Sequence, residues 1–217
     1  MKDDGLNNLT DFSIEKLEGL IDTIIENPVI ESIDFTGLFK TLKAVKSVRD
    51  IFYLENIKKF IFEFEKLDKN EIESSLKKWN KSEKEKKKVG KFLLMALDKI
   101  SQNEKIEMLV KVFFAYLKEE INQESFFRLS EGILNAYIED LKHIYSNRSL
   151  RNLSPVGFSN FSVEDNPHAE RYNSKPSYIL KYELSDLGEA FKKIVLDGDS
   201  LKYHPRVSKD PNYRGWI

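Results

Sequence analysis

Carboxylates and histidines are the side chains here that could make or break bonds, and their spacing suits that work poorly. Glu139 and His143 stand four residues apart, so a helix places them on one face, as half of a metal site or as a surface contact. Glu119-Glu120 and Glu139-Asp140 are adjacent carboxylates. Neighbours on a helix point to different sides, so neither pair forms an acid–base couple. His168 and His204 complete a set of three histidines, no two of them close in sequence. The chain has no cysteine, which excludes disulfides, thiolate nucleophiles and Cys-ligated zinc or iron–sulfur centres. No nucleophile elbow is present, and Gly188 and Gly198 stand alone rather than in a phosphate-cradling loop. The expectation is a protein with no catalytic, cofactor-binding or metal-ligating residue.

Binding chemistry is better represented. Residues 77–91 hold eight lysines (Lys77, Lys78, Lys81, Lys84, Lys86, Lys87, Lys88 and Lys91) against two glutamates. Clustered ammonium groups attract phosphate, anionic lipid or an acidic protein, and a solvated helix face is the plain alternative. Trp79 sits inside this run and reads either as a stacking surface or as a core residue. The C-terminal stretch carries Tyr203, Arg206, Tyr213, Arg214 and Trp216, the residue types enriched among interface anchors. These lysines (Lys91 aside), Trp79 and the C-terminal aromatic and arginine residues are the candidate interaction residues. The first 34 residues are acidic, with nine Asp/Glu against two Lys, so they attract the lysine run within one chain or between copies.

The elements that must position these groups are helical for most of the length. The chain has 217 residues, 33% of them charged and 41% hydrophobic, with 35 Lys+Arg against 36 Asp+Glu and a net charge of −1. That is ample for a packed core, and it argues against a protein that coats nucleic acid along its whole surface. Apolar residues at spacings of three and four predict a helix over 12–26, which ends at Asn27-Pro28. They predict another helical stretch over 36–67, either one long helix or two with a break near 47–53. Asp68 caps a short helix to Trp79, and Ser82 with Glu85 forms a capping box before a helix ending near Ser101. A further helix starts at Gln102 or Asn103. Asn122 caps the next, whose period runs to about Ser146.

After Ser146 the pattern changes to turn formers, with Ser154-Pro155, Gly157, Asn166-Pro167 and Lys175-Pro176. Short strands are expected within 150–161 and 177–184. In the second, Tyr178, Leu180, Tyr182 and Leu184 alternate with Ile179, Lys181 and Glu183. Ser185 then caps a last helix to Leu196, and Gly188 allows close packing in its first turn. A returning strand that hands over to a capped helix is the ending of a winged helix, with 123–131 and 132–146 as its paired helices. A plain hairpin closing a helical bundle is the alternative. The expected fold is mainly α: a multi-helix bundle with a C-terminal winged-helix-like β-hairpin and helix. Its parts would be an acidic N-terminal helix (1–34), a bundle (35–121), a winged-helix-like subdomain (122–197) and a tail (198–217).

The first eight residues lack an apolar signal core. The most apolar region, 35–64, is broken by charged residues from Lys40 to Glu63 and is amphipathic rather than spanning. A cytoplasmic protein is expected, with a membrane-peripheral position as the alternative.

A family resemblance rests on Val48-Arg49-Asp50-x-Phe52, then Lys88-Val89-Gly90 with Leu93, Leu94 and Leu97-Asp98-Lys99-Ile100. It continues through Glu104-Lys105, Leu109, Phe113, Ala115-Tyr116, Phe126, Arg128-Leu129 and the strand–helix ending 182–191. In these residues, over roughly 36–196, the chain resembles uncharacterised bacterial helical proteins carried on prophages and mobile elements. More loosely, it is similar to the abortive-infection alpha type of phage-defence protein, which also closes with a Leu-Ser/Thr-x-x-Gly helix. The resemblance implies a place in phage–host conflict, on the defence or the counter-defence side, and supplies no catalytic residue.

The expected function is a non-enzymatic factor that binds a phage or host protein. A nucleic-acid-binding regulator is one alternative, although 132–146 offers Lys142 as its only Lys/Arg cation beside Glu139 and Asp140. A peripheral membrane protein using 35–64 is another. Association between copies of the chain is compatible with each.

Overall fold

A computed structural model of the chain describes residues 48–79, 81–166 and 178–197. The expected helix at 12–26, the break near 47–53 and the tail 198–217 lie wholly or partly outside those residues. Among the described residues are eight α-helices and one two-stranded antiparallel sheet. The fold is mainly α, a bundle that ends in a winged-helix-like hairpin and helix.

Several helices begin at a capping side chain. Helix α1 is Val48–Glu65. Helix α2, Lys69–Lys78, starts because Asp68 accepts a hydrogen bond from the Glu71 backbone N–H. Helix α3, Glu83–Lys99, has the full reciprocal box between Ser82 and Glu85. Helix α4 is Asn103–Leu117 and helix α5 is Gln123–Asn135, the latter capped by Asn122. Each cap removes an orphaned backbone donor, a contribution of about 1 kcal/mol.

Helix α4 is the centre of the bundle. Ile106, Leu109, Val110, Val112, Phe113, Tyr116 and Leu117 are all buried, so almost its whole circumference is apolar contact. Against it α1 lays Leu54, Ile57, Phe60, Ile61 and Phe64. Phe113 touches Phe60 and Phe64 with ring centroids 5.9 and 5.7 Å apart. Phe126 of α5 stacks on Tyr116 at 5.1 Å. Full burial of such a side chain stabilises by about 1.5–3 kcal/mol. Where it is described, the 35–64 stretch packs Leu54, Ile57, Phe60, Ile61 and Phe64 into the core, while Phe52 and Phe62 are exposed. No described helix is long and apolar enough to cross a membrane.

The run expected to continue to Ser146 breaks after Asn135. Lys105, itself buried, donates from Nζ to the carbonyls of Leu134 (2.9 Å) and Ala136 (2.7 Å), which takes those acceptors out of any continuing helix. Ala136 and Tyr137 are extended, and a short helix α6, Ile138–Lys142, follows. Ser146 then caps helix α7, Asn147–Leu153. The pairing of 123–131 with 132–146 is thus corrected to three helices, α5, α6 and α7. Likewise, 150–158 is not strand. Leu153 ends α7, a 3-10 turn covers Ser154–Val156, and Gly157 reverses the chain at φ 83°, a conformation open to glycine.

Strand β1, Ser159–Asp165, pairs with β2, Tyr178–Leu184, in the register Ser159↔Leu184 through Asp165↔Tyr178. Helix α8, Asp186–Phe191, and a π-turn, Lys192–Leu196, close the described fold. One hydrophobic cluster runs from Leu54 to Val195 and takes residues from all eight helices, with β2 reaching it through Leu184.

Candidate functional site

The hairpin is fixed at its base by Phe158. Its ring is fully buried, 4.9 Å from the ring of Phe191. It also lies over Gly132 of α5, where a Cβ would stand 2.4 Å from the ring. The Phe158 carbonyl lies over Gly188 of α8, where a Cβ would stand 2.0 Å away. It accepts the Ser185 N–H at 3.1 Å. Ser185 Oγ accepts the Gly188 N–H and donates to the Gly157 carbonyl. The expected Ser185 cap and the close packing at Gly188 are both present.

From that base the ribbon runs outward with two unlike faces. One carries the pairs Ser159–Leu184, Phe161–Tyr182, Val163–Leu180 and Asp165–Tyr178. Only its inner end is covered, by Ser159 and Leu184. Phe161 is 59% exposed, Val163 62%, Tyr178 55% and Leu180 47%. The Phe161 and Tyr182 rings are 6.1 Å apart, a cross-strand contact that stiffens the ribbon. The opposite face holds Asn160–Glu183, Ser162–Lys181 and Glu164–Ile179. There Lys181 bridges Glu183 (2.8 Å) and Glu164 (3.5 Å), and the hydrogen bond to Glu183 raises its pKa.

The helix before the wing is α7, the position a reading helix takes in a winged helix. Its exposed side carries Arg148 and Arg151, which the sequence reading missed because it placed that helix at 132–146. Asn152, beside them, donates to the Asp140 carboxylate at 3.1 and 3.2 Å.

The lysine run divides. Trp79 is corrected from a candidate interaction surface to a core residue. It is 2% exposed, packs edge-on against Tyr116 at 6.1 Å, and its Nε1 finds no acceptor among the described residues. Lys81 faces Glu119 across a shallow hollow of about 300 Å³. Lys77 and Lys78 are exposed at the end of α2. On α3, Lys84, Lys87, Lys88 and Lys91 are exposed and recur at three- and four-residue spacing, while Lys86 is half-buried. Lys88 lies over the Phe127 ring at 5.2 Å. Tyr203, Arg206, Tyr213, Arg214 and Trp216 lie outside the described residues.

The Glu139–His143 pair lies on the surface of the fold. His143 Nδ1 donates to the Glu139 carbonyl at 2.8 Å and lies 3.8 Å from the Glu139 carboxylate. That carboxylate also pairs with Lys142. Among the described residues no group of three or more His, Cys, Asp or Glu is placed to hold a metal ion. Compared with protein-family models, with curated protein sequences and with solved structures, the chain finds no match in any of the three.

Proposed function

We propose that this protein is a non-catalytic binding factor whose wing recognises a protein partner. The observation that carries the reading is the bare apolar face of the hairpin. Phe161, Val163, Leu180 and Tyr178 stand together in solvent on one side of a ribbon whose other side is ion-paired and polar except for Ile179. A two-stranded ribbon is marginal by itself, and grouped exposed aromatic and aliphatic side chains are the usual centre of a protein–protein contact.

The charge of the module supports a protein over a nucleic acid. Residues 122–197 hold nine Lys/Arg against eleven Asp/Glu. Arg148 and Arg151 are the features that favour a nucleic acid, and Asp140 and Glu139 lie close by in the fold. The biological setting we propose is phage–host conflict, and its support is the sequence resemblance over 36–196.

A photo-crosslinking residue at Val163, on the apolar face, tests the binding face against one at Ser162, on the polar face. The expected result is a discrete protein adduct from position 163 in cells challenged with phage, and none from 162. Equal adducts from both positions, or a nucleic-acid adduct, would refute the reading. Infection efficiency with and without the gene tests the setting.

A further inference from the structure

Strand β1 has β2 on one side and, among the described residues, no strand on the other. Beyond Ser159 every residue of β1 is exposed, so the ribbon stands clear of the bundle. Its register with β2 runs from Ser159↔Leu184 to Asp165↔Tyr178 without a bulge. An open edge of this kind is a template for another strand, and proteins guard such edges with lysine, proline or a bulge. Strand β2 carries Lys181 at its middle. Strand β1 reads Ser-Asn-Phe-Ser-Val-Glu-Asp, with no lysine and no proline, and its two carboxylates stand at the outer end.

What fits that edge is the edge itself. A two-fold axis between antiparallel strands keeps paired residues on one face only when it passes through a residue. Through Asn160 or Phe161 it would draw the buried Phe158 into the pairing. Through Val163 it would set Asp165 against Phe161, and through Glu164 or Asp165 it would oppose like charges. Through Ser162 it sets Phe161 against Val163 of the second copy, Asn160 against Glu164, and Ser159 against Asp165, each of them twice. Apolar groups then meet apolar groups, and an amide donor meets a carboxylate. We propose that β1 pairs antiparallel with β1 of a second copy about Ser162, and that the wing binds its partner as the four-stranded sheet this makes.

The proposal rests on the reading of the wing as the binding element and completes its apolar face. Phe161↔Tyr182 and Val163↔Leu180 already cross the ribbon. In the joined sheet they become two continuous rows: Tyr182 and Phe161 run on into Val163 and Leu180 of the second copy, and the two-fold repeats the arrangement. The two hairpin bases lie at opposite ends of the shared strands, about 20 Å apart along them, which keeps the bundles apart.

The chain has no cysteine, so single cysteines report the register. Opposed residues of an antiparallel pair stand about 4.5–5.5 Å apart at Cα, within reach of a disulfide. Ser162→Cys in the full chain is expected to form a covalent dimer under mild oxidation. Asn160→Cys alone and Glu164→Cys alone are expected to form none, since each lies about 14 Å from its own equivalent. An equimolar mixture of those two gives the hybrid dimer. Sedimentation equilibrium of the parent chain reads twice the chain mass at high concentration. Val163→Lys supplies the missing edge guard, and its mass falls to that of one copy while circular dichroism stays unchanged. A parent chain with the mass of one copy at every concentration overturns the proposal. So does a dimer that Val163→Lys leaves intact, or one that links through Asn160→Cys alone and not through Ser162→Cys. From a photo-crosslinker at position 163, an adduct of twice the chain mass is the second copy, and one of any other mass is a partner. A single-copy mass with a partner adduct therefore overturns the pairing and leaves the binding reading standing, and a hybrid dimer without a partner adduct does the reverse.

Discussion

Phe158 fills the space over Gly132 that a side chain would occupy, and a Cβ there would meet the ring at 2.4 Å. The wing is therefore seated in a notch on α5 that only a glycine leaves open. A second glycine, Gly188, opens a matching notch in α8 for the backbone of the same residue.

These two glycines differ in what opposes them, and their substitutions should differ accordingly. At Gly188 the obstacle is the Phe158 carbonyl, at 2.0 Å, which cannot rotate away. Gly188→Ala should cost about 3 kcal/mol or more, the upper end of overpacking. At Gly132 the obstacle is a ring, so Gly132→Ala should cost about 1–3 kcal/mol, and Phe158→Leu in the same chain should recover part of it. Urea denaturation of the single and double variants gives the comparison.

Lys105 should be needed as a donor rather than as a charge. Lys105→Met keeps the stem and leaves the Leu134 and Ala136 carbonyls without their donor, a loss of about 1–3 kcal/mol. Burial holds the Lys105 pKa below its usual 10.5 in the folded state. The unfolded chain then binds the proton more tightly, so this group alone makes stability rise with pH from its lowered folded value up to about 10.5. The stability difference between the parent chain and Lys105→Met, measured against pH, should widen in that window.

Surface and core phenylalanines should separate cleanly. Phe126 is fully buried between Tyr116, Phe113 and Phe92, and Phe126→Ala should cost about 3–5 kcal/mol. Phe161→Ser with Leu180→Ser touches only exposed positions and should change stability by about 1 kcal/mol or less. The double variant should nonetheless lose the adduct formed from position 163. A folded double variant that keeps the adduct would show that the partner does not use this face.

Asn56 should act as a clasp on the end of α3. Asn56→Ala removes both of its hydrogen bonds to Leu97 and Ile100 and should lower stability by about 1–2 kcal/mol. Amide exchange should quicken first at residues 97–100, since helix ends open before helix centres.

Much of this fold was legible because its signals are local. The caps at Asp68, Ser82, Asn122 and Ser185 depend on residues three apart, and each stands where its spacing placed it. The alternation of Tyr178, Leu180, Tyr182 and Leu184 gave the correct face of β2. What failed was non-local. The break after Asn135 is made by Lys105, 29 and 31 residues upstream of the carbonyls it holds, and apolar periodicity carries no trace of such a bond. The misplaced helix boundary then hid Arg148 and Arg151 on α7. Trp79 lay in a run of lysines, yet only the packing of α2 against α4 reveals that its ring faces inward. The apolar face of the wing had a visible period, but solvent on that face is a fact of the assembled chain.

Phe158 joins the hairpin to α5 through its ring and to α8 through its carbonyl, and α5 in turn meets α4 through Phe126. The ribbon is thus a lever whose fulcrum sits in the middle of the core. Torque on its tip is delivered to two helices together, and the bundle cannot remain indifferent to a load on the wing.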